Sequence, residues 1–355
     1  MNDVEELKRY VGIHARSQGI RPRRLAALLD RVHHDGEGPG SWVGEWSRAG
    51  EAHEGAGRPL EAARCYNVAR FPYVDGPARA DALARCVASF DRWAADQDGV
   101  ERVELDVPGG MVPCLASGLS TTDPKPLLLV MGGIVSVKEQ WAPILAQAGR
   151  MGMAALVAEM PGVGQNPLPY DGGSWTLATA LLDAVQDRAD VSRTHAIALS
   201  FSGHLVLRCA VEDRRIRGVV TAGAPVRRFF TDRDWQARLP RITADTLTHL
   251  TGADDLAGHL RDRALTREHL RALDIPVAYA VSTRDEIVPR DEPELLRACL
   301  DDFTALVNDD VHGSPHHALR TRLWAVLSVQ RMRGVRDAST AALAGLVGLL
   351  GLRSR

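Results

Sequence analysis

Residues 194–204 read Thr194-His-Ala-Ile-Ala-Leu-Ser200-Phe-Ser-Gly-His204, and the fold turns on how they are read. The apolar run 196–199 has the length of a buried strand, Ser200, Ser202 and Gly203 are small, and Leu205, Val206, Cys209 and Ala210 recur at helical spacing. The pattern predicts a strand, a sharp turn and a helix. A serine on such a turn is presented at the carboxyl edge of a sheet, where the positive end of the next helix stabilises an oxygen anion. The usual spelling is G-x-S-x-G; here Ala198 and Ser202 stand at the glycine positions, small enough for the crowding but less tolerant of positive φ. From this stretch alone a chemically silent turn stays an open reading. Ser202, the rival nucleophile, falls inside the helix rather than on the turn.

Outward from this turn, apolar runs at 127–131, 154–159, 196–199, 219–222, 277–281 and 304–307 alternate with helical patterns, which predicts a mainly parallel sheet covered on both faces. Ligands of such sheets bind beyond the carboxyl ends of the strands. Before them, residues 100–107 alternate polar and apolar, turn at Pro108-Gly-Gly110 and return through 111–115, an antiparallel hairpin at the sheet edge. Residues 1–97 read as a helical module: Leu7, Tyr10 and Val11 form one stripe, Leu25, Leu28, Leu29 and Val32 another, and 57–70 and 76–90 are amphipathic with Gly and Pro at their starts. A catalytic domain is expected over 98–335, with 226–272 as a lid-like helical insertion and 336–355 as an apolar tail.

A serine nucleophile requires a base, an orienting acid and an anion hole, each from a different strand end. After the strand 276–281 comes Ser282-Thr-Arg-Asp285-Glu-Ile-Val-Pro289, and after the next comes Asn308-Asp-Asp-Val-His312-Gly-Ser-Pro-His316-His317. The order Ser200, Asp285, His312 is that of an α/β-hydrolase. His312 follows the strand directly, whereas His316 and His317 fall at the start of the last helix of the domain. The anion hole is expected from the backbone N–H of Phe201 and from Gly133 and Ile134 in Met131-Gly-Gly-Ile-Val-Ser136-Val-Lys138-Glu139-Gln140, with Ser136 as the cap of the following helix. The turn at Glu159-Met-Pro-Gly162-Val-Gly164 is read as structural. Trp141, Trp175, Phe229 and Trp235 are the aromatic candidates for substrate binding.

Taken together, Gly132-Gly133-x-x-Ser136-x-Lys138-Glu139, Pro161-Gly162-x-Gly164, the Ser200 turn, Asp285-x-Ile-Val-Pro289 and His312 behind a helical module resemble the α/β-hydrolase group of 2,6-dihydroxypseudooxynicotine hydrolase, the polyketide chain-shortening pigment hydrolases and the FrsA-like esterases. The resemblance spans roughly residues 45–330. It implies a hydrolase that cuts a C–C bond beside a ketone, or an ester, in an aromatic or polyketide-like small molecule, in secondary metabolism or catabolism. It also carries Glu139 over as an acid/base, although a Glu in a first helical turn is favoured by the dipole alone. Val135 stands where the group often has an acid.

Composition narrows the partners. A net charge of −2 in 355 residues offers no basic surface for nucleic acid. The five scattered cysteines give neither a disulfide framework nor a metal-binding spacing, which suits a reducing cytoplasm. No metal or cofactor is expected. The N-terminus opens with charges where a secretory leader needs an apolar core, and 338–352 is shorter than the roughly 20 residues of a membrane span, so stable insertion is not expected. A homodimer is left open. Two other readings share the residues: lyase, dehydratase or cyclase chemistry in the same pocket, and a non-catalytic binding protein on a hydrolase scaffold.

Overall fold

The computed structural model describes residues 2–352. Eight strands form one sheet: β1 (Val100–Val107), β2 (Gly110–Ser117), β3 (Pro126–Met131), β4 (Ala154–Ala158), β5 (Asp190–Ala198), β6 (Ile216–Ala222), β7 (Val277–Ser282) and β8 (Phe303–Asn308). Their order is β1-β2-β4-β3-β5-β6-β7-β8. β1 and β2 are antiparallel, β2 is antiparallel to β4, and every pairing from β4 to β8 is parallel. This is the α/β-hydrolase sheet with its antiparallel edge hairpin. β5 begins earlier than its apolar run, because the exposed Ser192 and Arg193 interrupt the hydrophobic signal while the backbone continues extended.

The two-residue period of the strands sorts side chains into two layers. Leu127, Leu129 and Met131 of β3 join one core with Leu181 and Leu182 of helix Leu177–Val185 and Val206 and Leu207 of helix Phe201–Glu212. Leu128 and Val130 face the other, against Trp324 and Leu327 of helix Ala318–Met332.

Five helices precede the sheet: α1 (Val4–Ser17), α2 (Pro22–Leu29), α3 (Trp42–Gly55), α4 (Pro59–Arg70) and α5 (Pro77–Ala94). They enclose a core of their own around Leu7, Val11, Leu25, Trp42 and Trp46. Yet Ala62 and Tyr66 of α4 and Cys86 and Phe90 of α5 belong to the second core of the sheet, so the module covers part of that face. α1 is also tied to the insertion between β6 and β7: the Glu6 carboxylate accepts from the N–H groups of Arg241 (2.9 Å) and Ile242 (2.8 Å), at the positive end of helix Arg241–Thr251. The C-terminal helix Ala338–Leu352 packs Leu343, Ala344 and Val347 inward and leaves Leu346 and Leu349 exposed. Among the described residues no helix is long and apolar enough to cross a membrane.

The helix after Ser200 lies close against β6. A Cβ on Gly203 would stand 2.2 Å from Thr221 Oγ1, 2.8 Å from Ala224 Cβ and 2.9 Å from the Ala198 carbonyl oxygen. Gly203→Ala is therefore expected to cost about 1–3 kcal/mol of overpacking, read as a lower urea midpoint at unchanged m-value.

Candidate active site

Ser200 occupies a strained backbone conformation, φ 56° and ψ −127°, and is one of two described non-glycine residues with positive φ. Hydrogen bonds on both sides hold it there: Leu199 N–H donates to the Met131 carbonyl of β3 (3.0 Å) and Ser200 N–H to the Ala222 carbonyl of β6 (2.9 Å). Strain of this kind persists only where the surroundings over-determine it. Ser202, at the second altered glycine position, is fully buried, and its hydroxyl meets the carbonyls of Met131 (3.0 Å) and Leu199 (2.9 Å). It thus anchors the turn to β3 and is not open to a ligand.

The structure brings Ser200, His312 and Asp285 together. Ser200 Oγ lies 3.1 Å from His312 Nε2, and His312 Nδ1 lies 3.0 and 2.9 Å from the two oxygens of Asp285. Asp285 Oδ1 also accepts from the N–H groups of Ile287 and Val288, which fixes the carboxylate. Burial disfavours a charged imidazole, but the charge and hydrogen bond of Asp285, helped by Glu286, outweigh it and hold the His312 pKa above the ordinary 6.5. His316 and His317 face elsewhere: their Nδ1 atoms meet the buried Asp310, which also accepts from the N–H groups of Val311 and His316. That cluster shapes the loop carrying His312.

Two positions beside the His312 imidazole were not assigned from the sequence. Gly223, with φ 61°, follows β6 directly, and a Cβ there would lie 2.5 Å from His312 Cε1, so glycine makes room for the imidazole. Glu286, beside Asp285, accepts from the backbone N–H of His312 at 3.0 Å. A glycine closing a strand in this sheet was the available signal for the first; the second had none.

On the other side of Ser200 stands the loop after β3. Gly133 abuts Ser200: a Cβ there would lie 3.1 Å from Ser200 Cβ. Phe201 opens the helix, where the first N–H groups have no partner within the helix. Gly133, Ile134, Ser200, Phe201 and His312 all line one cavity of about 270 Å³. Ile242, Thr243 and Thr246 of the insertion line it too, and Tyr10, Ile13, His14 and Ser17 of α1 form a further wall. The helix after the loop is a 3-10 helix over Lys138–Ile144.

Glu139 is not part of this cavity. Its side chain is 2% exposed and paired with Lys138 Nζ (3.0 Å) and Arg102 Nη2 (3.6 Å). Lys138, fully buried, also faces Glu159 Oε2 (3.5 Å) and Gln165 Oε1 (2.7 Å), while its own N–H donates to Glu159 Oε1 (3.1 Å). Burial raises the Glu159 carboxyl above its ordinary range, although Lys138 pulls it down. Gly164, in the turn read as structural, makes space for that carboxylate; a Cβ would meet Glu159 Oε1 at 2.0 Å. Lys138-Glu139 therefore ties the loop after β3 to the loop after β4. Arg70 of α4 grips the same loop at the Val135 carbonyl.

Of the four aromatic candidates the structure places Trp141 at the cavity. Trp175 lies under the Arg208 guanidinium, 4.2 Å from the ring centre, Phe229 is fully buried edge-on to Phe201, and Trp235 donates its indole N–H to the Ile287 carbonyl. None of these three lines the cavity. Among the described residues no group of His, Cys, Asp and Glu has the arrangement of a metal site.

The esterase FrsA-like family matches residues 24–278. Esterase FrsA of Vibrio cholerae serotype O1 is 27% identical over 268 residues, 66% of this chain and 64% of that protein. The chain thus spans a little under two-thirds of the length of that relative. Esterase FrsA of Photobacterium profundum is 22% identical over 77% of this chain and 75% of its own length. Among solved structures, AbyA5 wildtype is 52% identical with a TM-score of 0.94, covering 98% of this chain and 100% of that one. The 2,6-dihydroxy-pseudo-oxynicotine hydrolase shares the fold at 20% identity, with a TM-score of 0.73 over 90% of this chain and 95% of that one.

Lys138→Met would leave Glu139 and Glu159 buried without their shared cation, at an expected cost of about 3–5 kcal/mol. The Glu159 carboxyl, whose folded pKa is raised, destabilises most when ionised, so the deficit should shrink as pH falls. Urea melts of the variant at pH 8 and pH 5.5 check both the size and the sign.

Proposed function

We infer, from a chain that belongs to the esterase FrsA-like family, that the cavity houses a serine hydrolase acting on small esters with an aromatic or polyketide-like body. The observation that carries this reading is the hydrogen-bonded series Ser200–His312–Asp285 opening onto a cavity lined largely by apolar side chains. His312 takes the Ser200 proton as Oγ adds to the substrate carbonyl, while Asp285 holds the tautomer with Nδ1–H toward itself. The N–H groups of Phe201 and of Gly133 or Ile134 are assigned to the oxyanion. Collapse of the adduct expels the alcohol, which leaves with the His312 proton; water then reverses the steps and frees the acid.

Ester cleavage is favoured over C–C cleavage by the place of Glu139. A carbanion leaving group needs a dedicated acid or a strongly delocalising substrate. Glu139 is paired with Lys138 and Arg102 outside the cavity, and the acid in hydrogen-bond reach of Ser200 is His312. One imidazole serves an alkoxide well.

Ser200→Ala is expected to lower kcat/KM on 4-nitrophenyl acetate by at least about 10³-fold. Turnover that survives the change would move the chemistry to acid–base catalysis by His312 without an acyl-enzyme, as in a lyase. Because the base must be neutral and its pKa is raised, kcat/KM should climb with pH along a limb centred above 6.5. Removing the Glu286 charge in Glu286→Gln favours the neutral ring, so that limb should move to lower pH; a pH–rate series on both proteins reads the shift.

A further inference from the structure

Helix Ala318–Met332 presents one face to the cavity. Ala318, Thr321, Arg322, Ala325 and Val326, spaced by three and four residues, all line it, so Arg322 stands in the middle of a wall of small and apolar side chains. Thr321, the other polar residue of that face, is engaged: its Oγ1 accepts from Asn308 Nδ2 (3.1 Å). Arg322 Nη2 donates to the Ser17 carbonyl at the end of α1 (2.8 Å). That bond orients the guanidinium and leaves its Nε and Nη1 donors without a partner among the described residues. Arg322 is exposed and lines the cavity, so a ligand can reach it.

Besides His14 and His312, the charged side chains on the lining are Arg9, Arg322 and Glu286. Glu286 is engaged with the His312 N–H, and Glu6 of α1 with the start of helix Arg241–Thr251. Among the described residues no carboxylate is paired with Arg322. Burial pushes its pKa below the ordinary value with no acid to raise it again, and it acts as a like charge on Arg64 of α4, whose own acid, Glu61, stands 3.8 Å away. A partly desolvated cation without a counter-ion is costly, and the two oxygens of a carboxylate match the guanidinium fork. We propose that Arg322 is a carboxylate-recognition residue, so that the substrate bears a carboxylate remote from the bond cut. The Ser17 carbonyl positions the guanidinium for it. Arg9 is a separate charge: it precedes Ser17 by about 12 Å along α1, and its guanidinium lies 5.6 Å from the Tyr10 ring centre. The proposal rests on the reading of Ser200 as nucleophile.

The test uses half 4-nitrophenyl esters of the straight-chain dicarboxylic acids from adipic to sebacic, each beside a twin whose free carboxyl is a methyl ester. Ser200 Oγ adds to the aryl-ester carbonyl as its proton passes to His312, 4-nitrophenolate leaves, and water then frees the acid from the serine, so nitrophenolate release gives kcat/KM for both. At the matching chain length kcat/KM of the free acid should be roughly tenfold above that of its twin, chiefly through a lower KM. Arg322→Gln should bring the ratio to about one, the twin reporting any loosening of α1 that follows from the lost bond to Ser17. Arg322→Lys, which keeps the cation without the fork, should retain part of the preference, and Arg9→Gln all of it. Equal values at every chain length in the wild type, a ratio unchanged in Arg322→Gln, or a ratio lost equally in Arg9→Gln would overturn the subsite while leaving the nucleophile in place. Turnover of neither twin, or turnover of both that persists in Ser200→Ala, would instead overturn the reading on which the subsite rests.

Discussion

The arrangement depends on a backbone that no residue with a side chain adopts freely. Ser200 sits at φ 56° because the amides on either side are bonded to different strands, Leu199 to β3 and Ser200 to β6. Two hydrogen bonds to neighbouring strands offset a strain of order 1–3 kcal/mol, and in return the hydroxyl stands clear of the sheet at the start of a helix. Gly203, three residues on, lets that helix lie against β6, and Gly223 lets the imidazole swing over the same strand end. The buried hydroxyl of Ser202 takes the place of a glycine by bonding to the Met131 carbonyl, which explains how the turn tolerates its altered spelling.

What the sequence made legible is what obeys a short-range rule. The strands from β3 to β8 announce themselves as apolar runs, and the hairpin β1–β2 as an alternation broken by Pro108-Gly-Gly110. Ser200, Asp285 and His312 were locatable because each must follow a strand and their order along the chain is constrained. Three of the four aromatic candidates fall away from the cavity, Trp141 alone lining it, for the opposite reason. Whether Trp175, Phe229 or Trp235 faces a cavity or props its wall depends on contacts with Arg208, Phe201 and Ile287, none of which a periodicity reveals. Glu139 was legible as a first-turn residue but not as the partner of Lys138 and Arg102, because Arg102 arrives from β1 and Glu159 from the end of β4.

The helical module is where pattern said least and three-dimensional structure says most. Its amphipathic stripes predicted helices without predicting what they cover. In the fold, α4 and α5 cover part of one face of the sheet, Arg70 grips the loop beside Ser200, and α1 places Tyr10, His14 and Ser17 on the cavity wall. The buried cation Lys138 is held between two carboxylates from separate segments, a costly arrangement in a protein interior. Its return is positional: the loops after β3 and β4 are joined directly behind the proposed oxyanion site.

The central claim is that one hydrogen-bonded line runs from Asp285 through His312 to Ser200. It is tested most directly by proton NMR of the intact protein across pH, following the Nδ1–H of His312. The account predicts a far-downfield proton that disappears in Asp285→Ala and a ring that titrates above 6.5 in the wild type and lower in that variant. A His312 ring without such a proton, titrating alike with and without the carboxylate, would contradict it.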